Sequence, residues 1–428
     1  MAITSQLQRS LDDGAGSGGG SFAAAPDGHP AQAAAADNLD NPASAATTAA
    51  AEARDLAACR ALLANGSRTF LAASRLLPRA VRDPACALYA FCRLADDAVD
   101  GQTGGGLPDP ASAAAHNAAA AVQNLRNRLQ RIYQGGALPE AADRALAAVV
   151  RRFNIPALLP EALIEGFAWD SSARRYETLD DLQAYAARVA GTVGAMMALL
   201  MGVRSAAGLA RACDLGVAMQ LSNIARDVGE DARLGRLYLP RQWLREVGID
   251  PNAWLAAPQH SPALGQVVQR LLRQADALYA RVDAGVAALP LGCRPGINAA
   301  RFLYAQIGLE VERRGLNAID SRAVVSRRRK VLSLARALLL LAPRRGMLAA
   351  PPLDATRFLV EAVTGPLPMQ MQAHARPAAV VRVSSPASLP TSRQTEAAHL
   401  GRFTPGPHGL EAVLTLFERL GRRDAAPW

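Results

Sequence analysis

Lysine is almost absent from the 428 residues: Lys330 is the single one, and arginine supplies the rest of the 47 cationic side chains. A catalytic Schiff base requires a lysine amine, and Lys330 stands between three arginines and an apolar segment, which disfavours that chemistry. The formal net charge is +10 at pH 7. Arginine grips phosphate through a planar fork of donors, so this excess suits either an anionic substrate or a solvated basic surface. No basic run is interleaved with aromatic residues, and we predict no nucleic-acid partner.

The short motifs that mark several other chemistries are missing as well. The five cysteines form no CxxC pair, which favours a reduced, cytoplasmic compartment. The six histidines show neither a metal-ligand spacing nor a Ser/His/Asp arrangement. No P-loop is present, and the glycine runs lack the strand and helix that flank a dinucleotide site. The two longest apolar stretches, 191–203 and 331–342, fall short of the roughly 20 residues that span a bilayer.

Composition divides the chain into three parts. Residues 1–55 are rich in Ala, Gly, Ser and Asp and are predicted to be disordered. Residues 56–345 follow a helical pattern nearly throughout, without the alternation typical of strands. Residues 346–428 are rich in Pro, Ala and Arg and are predicted to form a C-terminal extension. We therefore expect one all-α domain between two low-complexity segments.

Two acidic clusters lie within the helical part. Asp96 and Asp100 are four residues apart, as are Asp227 and Asp231, and each pair has a third acid and an arginine nearby. On a helix this spacing places both carboxylates of a pair on one face, about 5–6 Å apart at Cβ. The two clusters therefore present the same chemistry twice.

Such clusters are costly without a cation. Gly101 and Gly235 predict that both helices end just beyond the acids, where the negative end of the helix dipole disfavours them by up to about 1 kcal/mol. Mg²⁺ would relieve this repulsion, because it binds one or two carboxylates and completes its shell with water and substrate phosphate oxygens. Solvated surface acids are the alternative for either cluster alone, but two clusters with nearby arginines favour a Mg²⁺ site, with Mn²⁺ as a second candidate.

Several short segments accompany these clusters in a fixed order. They read GSRTF at 66–70, LLP at 76–78, RYET at 175–178, YAARVAGTVG at 185–194, GRLYLP at 235–240 and SRAVVS at 321–326. Together with the acidic clusters they resemble the squalene/phytoene synthase family over roughly residues 56–341, and most closely its bacterial phytoene-forming members. The sequence departs from the family at Leu316-Asn317, where members often carry Tyr-Asp, so the detail of that region stays open.

The resemblance implies an isoprenoid (terpenoid) synthase fold, in which helices surround a central apolar cavity with the two acidic motifs facing each other at its mouth. It implies head-to-head joining of two geranylgeranyl diphosphates through prephytoene diphosphate to phytoene, with release of diphosphate, in carotenoid biosynthesis. NADPH is not expected for this reaction. A squalene or C30 synthase that uses farnesyl diphosphate is the alternative. A non-catalytic relative is disfavoured because all four aspartates are present.

The resemblance and the spacing together name the expected site residues. Asp96, Asp100, Asp227 and Asp231 are expected to hold the metal with Asn223, which lies one turn before Asp227. By the resemblance, the Tyr185 ring could stabilise carbocations or its hydroxyl could help to remove a proton, with core packing as the alternative. The expected substrate-binding residues are Ser67, Phe70, Tyr89, Arg93, Gln220, Asn223, Arg226, Tyr304 and Arg322.

The apolar stretch 331–341 and the glycines near 191 leave two interpretations open. Arginine-rich segments flank 331–341, so this helix either rests on the inner membrane surface or closes the core. A peripheral membrane contact and a downstream phytoene desaturase would both suit an oily product. Gly191 and Gly194 either admit a prenyl chain or allow close helix packing.

Overall fold

The computed structural model describes residues 42–66, 73–100, 110–172, 174–339 and 348–365. Over these ranges the chain forms helices joined by turns, and they contain no β-strand, which confirms the all-α prediction. Residues 1–41 of the predicted disordered segment and 366–428 of the predicted extension lie outside the described ranges. No helix in the described part of the chain combines the length and the hydropathy needed to cross a membrane.

The helices are numbered here in chain order. They are α1 (Pro42–Gly66), α2 (Arg79–Asp100), α3 (Pro110–Gln134), α4 (Ala141–Phe153), α5 (Leu158–Ser171), α6 (Leu179–Ala186), α7 (Thr192–Leu200), α8 (Ala206–Arg233), α9 (Arg241–Glu246), α10 (Pro251–Ala256), α11 (Pro262–Ala288), α12 (Arg294–Arg313), α13 (Arg327–Leu339) and α14 (Arg357–Thr364). A π-helical turn, Ala187–Gly191, links α6 to α7.

Helix α8 is the centre of the bundle. It packs against α7, α11 and α12, and 19 of its 28 residues are buried. A helix buried on nearly every side needs small or apolar residues around its whole circumference, which α8 has at positions such as Gly216, Ala218 and Leu221. The polar residues buried on α8 therefore require a specific explanation.

Local sequence fixes both ends of α8. The Ser205 hydroxyl accepts a hydrogen bond from the Gly208 amide at 3.3 Å, which caps the N-terminus. At the other end Gly235 has φ +72°, and the Arg236 amide donates to the carbonyl of Asp231 at 2.9 Å. This is a Schellman ending, and it confirms that the helix stops just beyond its acids.

Helix α8 is in backbone contact with α7 and with the π-helical turn before it. A Cβ atom at Gly194 would lie 2.2 Å from the Ala212 carbonyl oxygen, and one at Gly216 would lie 2.2 Å from that of Ala190. No real side chain tolerates these distances, so glycine is required at both crossing points. Close helix packing therefore accounts for Gly194, although this residue also lines the central cavity described below.

The folded core reaches beyond the boundaries expected from composition. Helix α1 begins at Pro42, before the expected limit at 55, and α14 follows the expected limit at 345. Leu359 and Val360 of α14 are 0% and 4% exposed. We therefore propose that the catalytic domain includes residues 42–365, and the two domain limits remain predictions.

Candidate active site

A large apolar cavity runs along α8. The empty space between its walls is about 1510 Å³, which includes solvent at its open side, and α2, α7, α8, α11 and α12 supply the walls. The lining is aliphatic over most of its length, with residues such as Leu88, Met197, Leu215, Val282 and Ile297. A space of this size and polarity suits long hydrocarbon chains and excludes water from them.

A second, polar pocket of about 210 Å³ adjoins the cavity. Gln220 and Asn223 line both spaces, whereas Asp227 and Asp231 line only the polar pocket. These residues recur along one face of α8 at helical spacing, so one helix carries the apolar wall and the acidic end in sequence. Two adjoining spaces of this kind suit a ligand that has a charged head group next to an apolar tail.

Asp227 is bound by two arginines. Arg226 donates to its two carboxylate oxygens at 2.7 and 2.6 Å, and Arg322 donates to the same oxygens at 2.8 and 3.2 Å. Only 4% of Asp227 is exposed. Two of the arginines expected to bind substrate thus meet at a metal-ligand candidate.

The loop before Arg322 is built around the Leu316-Asn317 departure. Leu316 has φ +61°, and the Asn317 side chain accepts hydrogen bonds from the Ile319 and Asp320 amides at 3.1 Å each. The next segment reaches α8, where the Gly229 amide donates to the carbonyl of Ala318 at 3.0 Å. A Cβ at Gly229 would lie 2.7 Å from that carbonyl oxygen, so glycine lets the loop approach and bring Arg322 to Asp227.

Asp231 and Asn223 have features expected of cation ligands. Burial, and then the nearby negative charge of Asp227, raises the pKa of Asp231 to about 8. The Asn223 side-chain oxygen is buried without a hydrogen-bond partner. Oxygen donors of these two types are the ligands that Mg²⁺ prefers, so the residues present fit the ion. Among the side chains that the structure describes, no group of three or more His, Cys, Asp or Glu forms a complete metal cluster.

Tyr185 belongs to a buried network that the sequence prediction missed. Its hydroxyl donates to Asp170 at 2.9 Å, and the Tyr238 hydroxyl donates to the other oxygen of the same carboxylate at 2.7 Å. Burial raises the pKa of Asp170, and it raises the pKa of Tyr185 and Tyr238 well above their ordinary value. Tyr185 and Tyr238 both line the polar pocket, so the network reaches the acidic end of α8.

The ring of Tyr176 completes this aromatic cluster. Its centroid lies 5.3 Å from that of Tyr185 and 5.8 Å from that of Tyr238, while the latter two centroids are 5.1 Å apart. Tyr238 stacks on both of the other rings, and the Tyr176 and Tyr185 rings are tilted by 46°, so the three tyrosines form one packed aromatic wall with negative π faces. Tyr176 and Tyr238 lie in the RYET and GRLYLP segments, so the motifs carried a signal for them, whereas Asp170 lies in none of the motifs.

The first acidic cluster lies on α2. The α2 residues Tyr89 and Cys92 line the cavity, and the backbone of α2 continues from Cys92 through Asp96 to Asp100. The side chains of Asp96 and Asp100 are outside the description, as are Ser67 and Phe70 as whole residues. Arg93 donates to Asp97, four residues further on, at 2.8 Å.

Tyr304 lies on the α12 side of the cavity, near Arg226 and Asp227. It lines the cavity, and burial raises the pKa of its hydroxyl. The positive charge of Arg226 lowers this pKa, and the negative charge of Asp227 raises it. Gln220 is 7% exposed. Tyr89, Gln220, Asn223 and Tyr304 all line the cavity, while Arg226 and Arg322 meet at Asp227, a residue of the adjoining polar pocket. The described candidates thus lie along the cavity and the adjoining polar pocket, apart from Arg93, whose side chain donates to Asp97.

Comparison with known proteins gives the context of this site. The family model of squalene/phytoene synthases matches residues 63–329. The chain is 55% identical to phytoene synthase of Rhodobacter capsulatus over 277 residues, which are 65% of this chain and 79% of that protein. It is 49% identical to phytoene synthase of Cereibacter sphaeroides over 326 residues, covering 75% and 91% of the two chains.

A solved structure supports the same assignment. The crystal structure of a dehydrosqualene synthase with a bound ligand superposes with a TM-score of 0.61 at 30% identity. It covers 68% of this chain and 97% of that one. On the evidence of its motifs, its fold and its relatives, the chain belongs to the squalene/phytoene synthase family.

Proposed function

We propose that the protein is a phytoene synthase, a prenyltransferase that joins two geranylgeranyl diphosphates through prephytoene diphosphate to phytoene and releases diphosphate. The observation that carries this proposal is the meeting of two spaces at Gln220 and Asn223. One space is large and apolar, and the other is small and lined by carboxylates. The two bacterial relatives at 49% and 55% identity carry the name phytoene synthase.

Mg²⁺, with Mn²⁺ as an alternative, is the proposed metal. The proposed ligands are Asp96, Asp100, Asn223, Asp227 and Asp231. The Asn223 side-chain oxygen without a hydrogen-bond partner and the raised pKa of Asp231 support this choice. When bound, the metal supplies Lewis acidity that stabilises the departing diphosphate. Arg226 and Arg322 would donate hydrogen bonds to the same diphosphate, with Arg93 as a further donor from α2.

The aromatic cluster would act on the hydrocarbon part of the substrate. Asp170 fixes the hydroxyls of Tyr185 and Tyr238, so both tyrosines are held in the wall of the polar pocket beside the cavity. Their π faces would stabilise positive charge that develops on carbon. The Tyr185 hydroxyl would accept a proton from the substrate while its own proton transfers to the Asp170 carboxylate. The apolar wall excludes water, which would otherwise trap a carbocation.

Ser67, Phe70, Tyr89 and Tyr304 would complete the binding site. Tyr89 and Tyr304 line the cavity from α2 and α12. The proposals for Ser67 and Phe70 rest on the resemblance of the GSRTF segment alone.

A C30 synthase that uses farnesyl diphosphate is the second candidate. The structural similarity to a dehydrosqualene synthase favours it, because the TM-score of 0.61 extends over 97% of that chain. We prefer the C20 substrate because both bacterial relatives cited above carry the name phytoene synthase and are more similar in sequence. NADPH would not be consumed in the phytoene reaction.

The α13 surface is the proposed membrane contact. Leu332 and the preceding Val324 are 60% and 61% exposed, and Arg327 and Arg328 are exposed beside them. The opposite face of α13 is buried through Leu334 and Ala337, so this helix also closes part of the core. Exposed apolar residues bordered by arginines suit an anionic lipid surface. We propose a cytoplasmic protein that rests on the inner membrane and releases phytoene toward a desaturase.

Product analysis with purified full-length protein tests the function. The protein is incubated with geranylgeranyl or farnesyl diphosphate, with Mg²⁺ or EDTA, and with or without NADPH. We expect phytoene from the C20 substrate only when metal is present, at a yield independent of NADPH. A faster reaction with farnesyl diphosphate would favour the C30 synthase, and no turnover of either substrate would reject both. Pelleting with anionic but not neutral vesicles, weakened by Leu332→Ser, tests the membrane contact.

A further inference from the structure

A buried charge cluster borders the apolar cavity on α8, sixteen residues before Asp227. Arg211 of α8 and Asp214 are 1% and 0% exposed. The Asp214 carboxylate pairs with Arg211 at 2.7 Å and with Arg281 of α11 at 2.9 Å. Buried charges beside a hydrocarbon-lined space are unfavourable unless each is paired and hydrogen-bonded, so the cluster needs a structural reason.

The cluster contains two guanidinium groups and one carboxylate, and backbone oxygens compensate the excess positive charge. Arg211 donates to the carbonyls of Ala350 and Pro351 at 2.9 and 3.2 Å. Arg281 donates to the carbonyl of Pro351 as well. Both guanidinium groups therefore form hydrogen bonds with residues 348–351, which lie more than 65 residues further along the chain.

These residues begin a segment that we call the C-terminal strap, residues 348–365. The strap lies beyond residues 63–329, the part matched by the family model. Its Thr356 and Leu359 are both 0% exposed, and its helix α14 packs on α5, α7 and α8. A Cβ at Gly191 would lie 3.4 Å from a methyl group of Leu359, so the strap is fitted to the outer side of the cavity wall.

The stem of Arg211 is itself part of the cavity surface. Arg211 and Gly285 both line the cavity, and a Cβ at Gly285 would lie 2.4 Å from the Cβ of Arg211. Arg211 precedes Asp227 by sixteen residues on α8, which is about 24 Å at the rise of an α-helix. A prenyl chain whose head group lies at Asp227 would extend along the cavity toward this stem.

We propose that the Arg211 stem is the floor of the prenyl cavity and limits the length of the chain that the enzyme accepts. The strap carbonyls and Asp214 hold the guanidinium outside the hydrocarbon space, so only the aliphatic carbons of Arg211 face the substrate. The strap therefore sets the depth of the cavity. This inference rests on the proposed function, because it assigns the specificity of that same site.

Three variants of the full-length protein test the floor. Arg211→Ala shortens the floor residue and deepens the cavity, Arg211→Met removes the charge but refills the volume, and Arg273→Met is the control on an exposed arginine of α11. The measurement is kcat/KM for farnesyl, geranylgeranyl and geranylfarnesyl diphosphates. For Arg211→Ala we expect the geranylfarnesyl to geranylgeranyl ratio to rise about tenfold, the scale on which hydrophobic pockets discriminate. The other two variants should keep the wild-type ratio.

An equal loss for all three substrates in Arg211→Ala would overturn the proposal, because a purely structural role predicts it. Val282→Phe is a second, independent test that can be used if Arg211→Ala does not fold. Val282 lines the cavity one turn closer to Asp227 than Gly285, so the larger ring should lower the geranylgeranyl to farnesyl ratio about tenfold. An unchanged ratio in Val282→Phe would also count against a length-limiting floor.

The same comparison can be made without turnover. Binding of the three S-thiolo diphosphate analogues, measured by calorimetry, should show the same change in preference. If the wild-type protein binds the analogues with an affinity that depends on chain length but forms no product, the proposed function is rejected while the role of Arg211 as the cavity floor is retained. Length-independent binding would reject the floor alone.

Discussion

Tyr185 and Asp170 form a buried hydrogen bond of 2.9 Å between the tyrosine hydroxyl and the carboxylate. Both groups are removed from solvent, and Asp170 is 9% exposed. The carboxylate fixes the direction of the hydroxyl, and therefore the direction of any proton that Tyr185 gives or receives. Asp170 is a positioning residue in this scheme, because it acts through Tyr185.

Asp170→Asn should lower kcat by about 100-fold while the KM for geranylgeranyl diphosphate stays within a few fold, since a small misplacement of a catalytic group has an effect of this size. The measurement is steady-state kinetics with product analysis. Asp180→Asn, at an exposed acid on α6, is the control. Tyr185→Phe in the same background should add little further loss, because residues that act as a unit are not additive. Fully multiplicative losses would contradict a shared role.

Asp231→Asn should stabilise the metal-free protein at high pH. The pKa of Asp231 is about 8 in the folded state against an ordinary value of 3.8, so the folded state binds its proton more tightly than the unfolded state. Its contribution to stability is therefore present below pH 4 and is lost as pH rises toward 8. Denaturant unfolding in EDTA should show a gain for Asp231→Asn of at least about 1 kcal/mol at pH 9, the value of roughly one pKa unit. No difference at pH 9, or an equal gain at pH 4, would refute this.

Arg322→Met should raise the KM for geranylgeranyl diphosphate about tenfold, because a hydrogen bond to a charged group is worth about 1.5–3 kcal/mol. The guanidinium is held at Asp227 in the absence of substrate, with 28% of its side chain exposed, and it can reach a diphosphate there. Kinetics at saturating Mg²⁺ separates this effect from metal binding. Arg313→Met, at an exposed arginine of α12, should leave KM unchanged. A fall in kcat with constant KM would mean that Arg322 does not bind the ground-state substrate.

Gly194→Ala should lower the free energy of unfolding by about 1–3 kcal/mol, the usual cost of overpacking. The added methyl would lie 2.2 Å from the Ala212 carbonyl oxygen and would force α7 away from α8. Gly136→Ala is the matched control, because its Cβ would meet the Arg131 side chain at an ordinary 3.6 Å. Chemical unfolding of both variants measures the difference. Equal stability of the two would show that α7 can shift without cost.

Features that depend on residues a few positions apart along the chain could be predicted from the sequence. The spacing of Asp227 and Asp231, with Gly235 beyond them, was enough to place both acids at a helix end, and the structure confirms that ending. The described helices confirm the all-α class, and the comparisons confirm the family assignment. The roles of the acids as metal ligands, and of Ser67 and Phe70 in substrate binding, stay predictions.

Long-range pairings could not be predicted. Asp170 lies 15 residues from Tyr185 and 68 from Tyr238, and nothing in its local sequence distinguishes it from a surface acid. Arg211 likewise looks like one arginine among many. Its partners on the strap lie 137 to 140 residues away, in a part of the chain whose composition resembles a linker. Only the fold reveals which of many similar charges are buried.

Because α8 carries both the acidic end and the apolar wall, its register cannot change. Inserting or deleting a single residue between Arg211 and Asp231 would rotate one half of the helix by about 100° relative to the other. The carboxylates would then point away from the space that the other half lines. Evolution of this helix is therefore confined to substitution, and insertions are expected only in the loops around it.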